Sequence, residues 1–108
     1  MSRALSPGRM MLMTVLIDRH LREARLEHRS RFVPSRDAGG DDQIDIVEVE
    51  GGRAMSIWLS GKRFGVVRHH HYDDDGGVAA TQLCGWVDTL GDAVVRVVAE
   101  LRRAGTAL

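Results

Sequence analysis

Seven consecutive residues, His69-His70-His71-Tyr72-Asp73-Asp74-Asp75, hold the densest supply of metal-ligating atoms in the chain. On a strand successive side chains leave on opposite sides, so His69 and His71 share one side and His70 takes the other. Asp73 or Asp75 must fold back from the following loop to complete a metal set of two His and one carboxylate, which would be open enough for catalysis. No second ligand pair at zinc spacing occurs elsewhere, so a polar strand end running into a solvated acidic turn is the stronger reading. Cys84 is the one cysteine, and as a nucleophile it needs a base within hydrogen-bond reach. Its expected place opposite Gly65 leaves it about four strand residues from His69, roughly 13 Å at ~3.3 Å per residue. A small buried hydrophobe is therefore the expected role. The serines lie in no nucleophile-elbow pattern, and Gly51-Gly52 and Gly76-Gly77 lack the spacing and following helix of a phosphate loop. No catalytic residue and no cofactor are expected, and the protein reads as a non-enzyme.

The elements that position these residues follow from periodicity. Ser6-Pro7 is a plausible helix start, since a hydroxyl caps free amides and Pro is tolerated in the first turn. Met10, Met13, Ile17, Leu21 and Ala24 recur at helical spacing, with Asp18/Arg22 and Glu27/Arg31 as pairs four apart, and the helix is expected to stop before Pro34. Met10, Met11 and Met13 are possible alternative starts, so residues 1–9 read as a flexible extension to a domain spanning 10–108. Residues 34–43 read as a loop. Four strands are predicted at 43–50, 53–60, 63–71 and 78–84, joined by Gly51-Gly52, by Gly61-Lys62 and by a loop from Tyr72 to Gly77. Thr89 with Asp92 forms a capping-box pattern, and Leu90, Val94, Val97 or Val98, and Leu101 form the stripe of a last helix that stops at Gly105. The expected fold is α+β: a four-stranded antiparallel meander with an N-terminal and a C-terminal helix.

A tight turn fixes register, and register assigns each side chain to a face. Glu50 opposite Arg53 puts Ile46 against Ile57 and Ile44 against Leu59. Ser60 opposite Arg63 puts Phe64 beside Leu59, Val66 beside Ile57 and Trp58 opposite Gly65. If His71 meets Val78, Leu83 completes the row beside Val66. The helix-covered face then holds Ile44, Ile46, Met55, Ile57, Leu59, Phe64, Val66 and Leu83. The second face carries Val47, Val49, Ala54, Trp58, Val67, Ala80 and Cys84, with Asp45, His69 and His71 at its margins. Such a face is too apolar for open water, and both helices are needed on the other side, so contact with a partner is expected.

The chain of 108 residues balances 15 Lys and Arg against 15 Asp and Glu. That length allows one domain, and zero net charge removes the simple electrostatic case for coating a duplex or a membrane. The zero is a cancellation of blocks. Residues 37–50 and 72–92 hold eleven acids and no base, whereas residues 9–36 hold seven Arg against three acids. A lone cysteine points to a reducing compartment, and the apolar run from Met10 to Ile17 is shorter than the ~20 residues a bilayer needs, so a cytoplasmic protein with no membrane partner is expected.

Three functions fit. The first is a non-enzymatic interaction protein holding a protein partner or another copy of itself through Trp58, Val47, Val49 and Val67, together with Asp41, Asp42, Asp45, Asp73, Asp74 and Asp75. Its acidic segments would mimic a nucleic-acid backbone, as in inhibitors carried by mobile elements. The second is single-stranded nucleic-acid binding by Arg19, Arg22, Arg25, Arg29, Lys62, Arg63 and Arg68, with Trp58 as a stacking platform. The third is a metal site at His69, His71 and Asp73.

Between Met55 and Leu101 the order of a strand, Gly61-Lys62, a strand with Arg68 ending near Tyr72, an Asp and Gly loop, Gly85-Trp86 and an amphipathic helix is similar in plan to a family of transcriptional coactivators. In that family four curved strands and a closing helix pair into dimers that hold single-stranded DNA. The resemblance implies the second function. The strand positions that family fills with basic and aromatic residues are mostly Val, Ser and Ala here.

Overall fold

Five antiparallel strands lie side by side in chain order, and two helices pack on one of their faces. The computed structural model describes residues 7–34, 42–48, 53–70 and 80–106. Its elements are α1 (Pro7–Glu23), β1 (His28–Val33), β2 (Asp42–Glu48), β3 (Arg53–Ser60), β4 (Arg63–His70), β5 (Ala80–Val87) and α2 (Leu90–Thr106). The α+β expectation stands, with five strands in place of four.

The extra strand comes from ending α1 early. Arg25 adopts φ 60°, and the Leu26 N–H donates to the Leu21 carbonyl while the Arg25 N–H donates to that of Arg22, a Schellman stop that turns the chain back. No glycine marks it. Residues 28–33, expected in the helix, then alternate as a strand, with Phe32 toward the core and Arg29 and Arg31 on the other side. Asp18 does not pair with Arg22 as expected; it accepts from the Ser30 N–H at 2.6 Å and ties α1 to β1. The helical pair four apart is Arg19 with Glu23, and Glu27 and Arg31 lie beyond the helix. α1 begins at Pro7, so residues 7–9 are helical.

Met13, Ile17 and Leu21 of α1 and Ala93, Val94 and Val97 of α2 bury against Ile44, Ile46, Met55, Ile57 and Val66. Leu59 and Phe64 pack at the edge of that core, as expected. Thr89 caps α2 by accepting the Asp92 N–H at 3.0 Å. Glu100 is buried between Arg68 of β4, 3.6 Å away, and Arg103, 3.3 Å away, fastening the far end of α2 to the sheet.

The β3–β4 register is the expected one: Ser60 meets Arg63 across Gly61-Lys62, and Trp58 meets Gly65. Gly61 takes φ 62°, the left-handed value that the first position of a two-residue turn demands. On either side of this hairpin a bulge corrects the count. Beside the turn Val47 pairs with Arg53, three positions from expectation, and the extra residue Ala54 between the Met55 and Arg53 pairings brings the shift to two, so that Ile44 pairs with Ile57 and Ile46 with Met55. In β5, Leu83 pairs with Val67 and Gly85 with Val66, and Cys84 is the extra residue. The one-position slip, present already at the Leu83–Val67 pair on the loop side of the bulge, exchanges faces. Leu83, expected in the core, lies 46% exposed on the second face, whereas Cys84, expected on the second face, packs against the core. Ala54 likewise packs against the core.

Candidate functional site: the second sheet face

Both helices lie on the core face, so the second face is built from strand residues alone among those described. One row crosses the sheet as Val33, Gln43, Trp58, Gly65 and Trp86, and the next as Arg31, Asp45, Ser56, Val67 and Leu83.

The first row ends in an aromatic cluster. A Cβ placed on Gly65 would lie 2.9 Å from the six-membered ring of Trp86, so the indole rests on a strand position that must lack a side chain. Trp58 meets Trp86 with ring centroids 6.2 Å apart, tilted by 53°. The guanidinium of Arg63 sits over the Trp86 ring, 5.4 Å from its centroid. Trp58 pairs with Gly65 as expected, but the ring lying over that position is the one of Trp86. Trp86 takes the place because the Cys84 bulge carries β5 onward to Val87 and brings residue 86 opposite Gly65. Trp86 stays 37% exposed, and with Leu83 it forms the apolar part of the face open to solvent.

The second row carries a polar chain that periodicity did not reveal. Ser56, which has 0% exposure, donates its hydroxyl hydrogen to Asp45 at 2.7 Å, and its oxygen lies 2.7 Å from His69 Nε2. His69 Nδ1 is 3.3 Å from the Thr81 hydroxyl. Gln43 donates to Asp45 at 2.7 Å, and Arg31 reaches it at 3.4 Å. Each of the five strands thus contributes to one line running from Arg31 to Thr81. The bulge is the cause, since without it the Val47–Arg53 register would continue and Asp45 would meet Met55 and miss Ser56.

Ser, His and Asp in contact suggest a nucleophile, but the order is wrong for one. A hydroxyl has a single hydrogen, and here it goes to Asp45, so His69 Nε2 must donate to the serine oxygen and cannot remove its proton. In a working triad the carboxylate holds the far nitrogen of the imidazole. That nitrogen meets Thr81.

The structure distributes the expected site residues as follows. Trp58 is half-buried in the aromatic cluster; Val47, Val67 and Asp45 are buried, and Asp45 is already bonded to three side chains. A buried, satisfied carboxylate does not offer charge to a partner, so Asp45 leaves the partner-facing set. Asp42 pairs with Leu59 at the other end of β2. Val49, Asp41, Asp73, Asp74 and Asp75 lie outside the described residues, as does His71 of the metal set. His69 is engaged by Ser56 and Thr81, and among the described residues no three His, Cys, Asp or Glu side chains gather as a metal site. The seven basic residues do not converge. Arg19 and Arg22 are on α1 and Arg25 in the turn after it, on the side away from the aromatic cluster, and Arg68 is bonded to Glu100 on the core side. Arg63 and Arg29 remain on the second face, joined by Arg31 and Arg53, which sequence reasoning did not place there.

Cys84 has its thiol pushed up from the ordinary value, first by burial and then by the Glu100 carboxylate, against weaker pulls from Arg68, Arg96 and Arg103. It is a poor nucleophile in this setting. No helix among the described residues is long and apolar enough to cross a membrane. Searches of protein families, curated proteins and solved structures return no match to this chain.

Proposed function

We propose that this protein is a non-enzymatic binding module that docks a protein partner on the second sheet face, with Trp86, Leu83 and Trp58 at the centre and arginines around them. The observation that carries the reading is that Trp86 and Leu83 remain 37% and 46% exposed on a face that neither helix covers. Trp and Arg are the side chains most enriched among residues that dominate protein interfaces. The hydrogen-bonded line beneath them supports a rigid platform, because buried polar networks with every member engaged fix one arrangement. An inhibitory role and a cytoplasmic setting belong to the same reading and rest on the charge blocks and on the lone cysteine.

A second reading is favoured by one observation. Among the described residues the second face holds Arg29, Arg31, Arg53 and Arg63 against Asp45 alone, beside two tryptophans, which suits a single-stranded nucleic acid. Protein docking is preferred because a base can stack on Trp86 only by displacing Arg63 and must share the ring with Gly65 and Trp58.

Immobilised wild-type protein and the Trp86→Ala and Leu83→Asp variants, each checked for an intact melt, test the choice. The expected result is a captured protein partner lost with either substitution and held across a salt titration. Retention by both variants refutes the docking face. Oligothymidine binding that quenches the tryptophans and weakens steeply with salt would establish the second reading instead.

A further inference from the structure

The two outer strands of the sheet differ in chemistry. β1 (His28–Val33) carries His28, Arg29 and Arg31, and charged side chains on an outer strand discourage pairing with another chain. β5 (Ala80–Val87) runs for eight residues with no Lys, Arg, Asp, Glu or Pro. Thr81, Gln82 and Leu83 are all exposed in succession, and among the described residues no strand pairs with their outer edge. We infer that the outer edge of β5 pairs with the same edge of a second copy, antiparallel about a two-fold axis, and joins two five-stranded sheets into one.

The choice of a second copy rests on charge. A two-fold axis places each strand beside itself, so a charged strand repels its own image. Pairing through β1 would bring Arg29 and Arg31 toward their copies, whereas pairing through β5 brings together only neutral side chains. The Cys84 bulge, with Gly85 at φ 147°, confines regular pairing to the stretch before it, where exposure is greatest. Main-chain hydrogen bonds supply the attraction, and Leu83 of each copy extends the apolar surface across the axis. The second faces of the two copies then form one continuous platform. A partner docked there would touch both chains.

Light scattering on the full chain over a range of concentrations tests this, alongside Gln82→Lys, Leu83→Lys and Leu12→Lys. Leu12 is exposed on the outer side of α1 and stands for association through that helix. The expected result is twice the chain mass for wild type and Leu12→Lys, with a rise in dimer Kd of about a hundredfold or more for each β5 variant as like charges meet across the axis. Gln82 lies off the second face, so its loss of dimer with partner capture retained separates this inference from the docking reading. Hydrogen exchange on wild type adds a reading that needs no variant: amides of residues 81–84 should slow as concentration rises. A single-chain mass at every concentration, a dimer unaffected by both β5 lysines, or concentration-dependent protection confined to α1 or β1 would overturn it.

Discussion

Ser56→Ala removes one oxygen from the middle of the line that crosses the second face. The hydroxyl makes two contacts of 2.7 Å, one as donor to the Asp45 carboxylate and one as acceptor from His69 Nε2, at a position with 0% exposure. Asp45 keeps Gln43 at 2.7 Å and Arg31 at 3.4 Å, so it loses one of three donors. A hydrogen bond to a charged group contributes about 1.5–3 kcal/mol, and a buried donor deprived of its acceptor costs about 1–3 kcal/mol more. The two together span about 2.5–6 kcal/mol, and because Asp45 keeps two donors we take the lower part, about 3 kcal/mol, from a total that for a domain of this size is on the order of 5–15 kcal/mol. At ~4–8 °C per kcal/mol the melting temperature should fall by about 12–24 °C. Urea unfolding followed by the fluorescence of Trp58 and Trp86 measures the change directly, with an unchanged m-value showing that only stability moved. The same substitution made in Asp45→Asn should cost less than in wild type, because the carboxylate that Ser56 serves is already gone. A loss below about 1 kcal/mol, or strict additivity with Asp45→Asn, would show that the line from Arg31 to Thr81 does not hold this face together.

Three further outcomes follow from other positions. Arg25→Gly should raise stability by up to about 1 kcal/mol, since φ 60° is free of Cβ strain only for glycine, and a lower urea midpoint would contradict the Schellman stop. Gly65→Ala should destabilise by about 1–3 kcal/mol, because its Cβ would meet the Trp86 ring at 2.9 Å, and the emission of the tryptophans should shift as that ring is displaced. Alkylation of Cys84 by iodoacetamide should lag behind that of a free thiol at mildly alkaline pH and catch up only at higher pH, because burial and Glu100 favour the neutral thiol; an inflection at or below the ordinary thiol value refutes this. The folded state prefers the protonated thiol, so this group stabilises below the ordinary thiol pKa and the contribution is lost as pH rises through the raised folded value.

The readable parts of the fold were those where one local signal decides. Gly61-Lys62 fixed the β3–β4 register and so the Trp58–Gly65 pairing, and Thr89 fixed the start of α2. The end of α1 was not readable, because an arginine does the work that glycine usually does, and residues 24–33 keep enough helical spacing to hide a strand. The candidate site was half legible for a related reason. Trp58 was placed on the correct face by counting, yet Trp86 and the Asp45–Ser56–His69 line depend on two extra residues, Ala54 and Cys84, that carry no turn signal.

Those two bulges explain why the second face has the character it does. Without the extra residue at Ala54, Asp45 would lie opposite Met55, an ionised group among apolar side chains, and Ser56 and His69 would have to find other partners. Without the one at Cys84, Leu83 would still meet Val67, but Gly85 would take the place opposite Gly65 and Trp86 would move to Phe64. Each bulge shifts the pairing by one position, and with both in place Ile44, Ile46, Ile57 and Val66 lie buried beneath the helices. The exposed face is therefore made by the bulges. Deleting Cys84 provides the sharpest separation of core and face: the helices should still pack, because Val66 and its neighbours keep their side of the sheet, but the Trp58–Trp86 contact should vanish. Near-ultraviolet circular dichroism reports that aromatic pair, and a spectrum unchanged by the deletion would show that the bulge does not set the face.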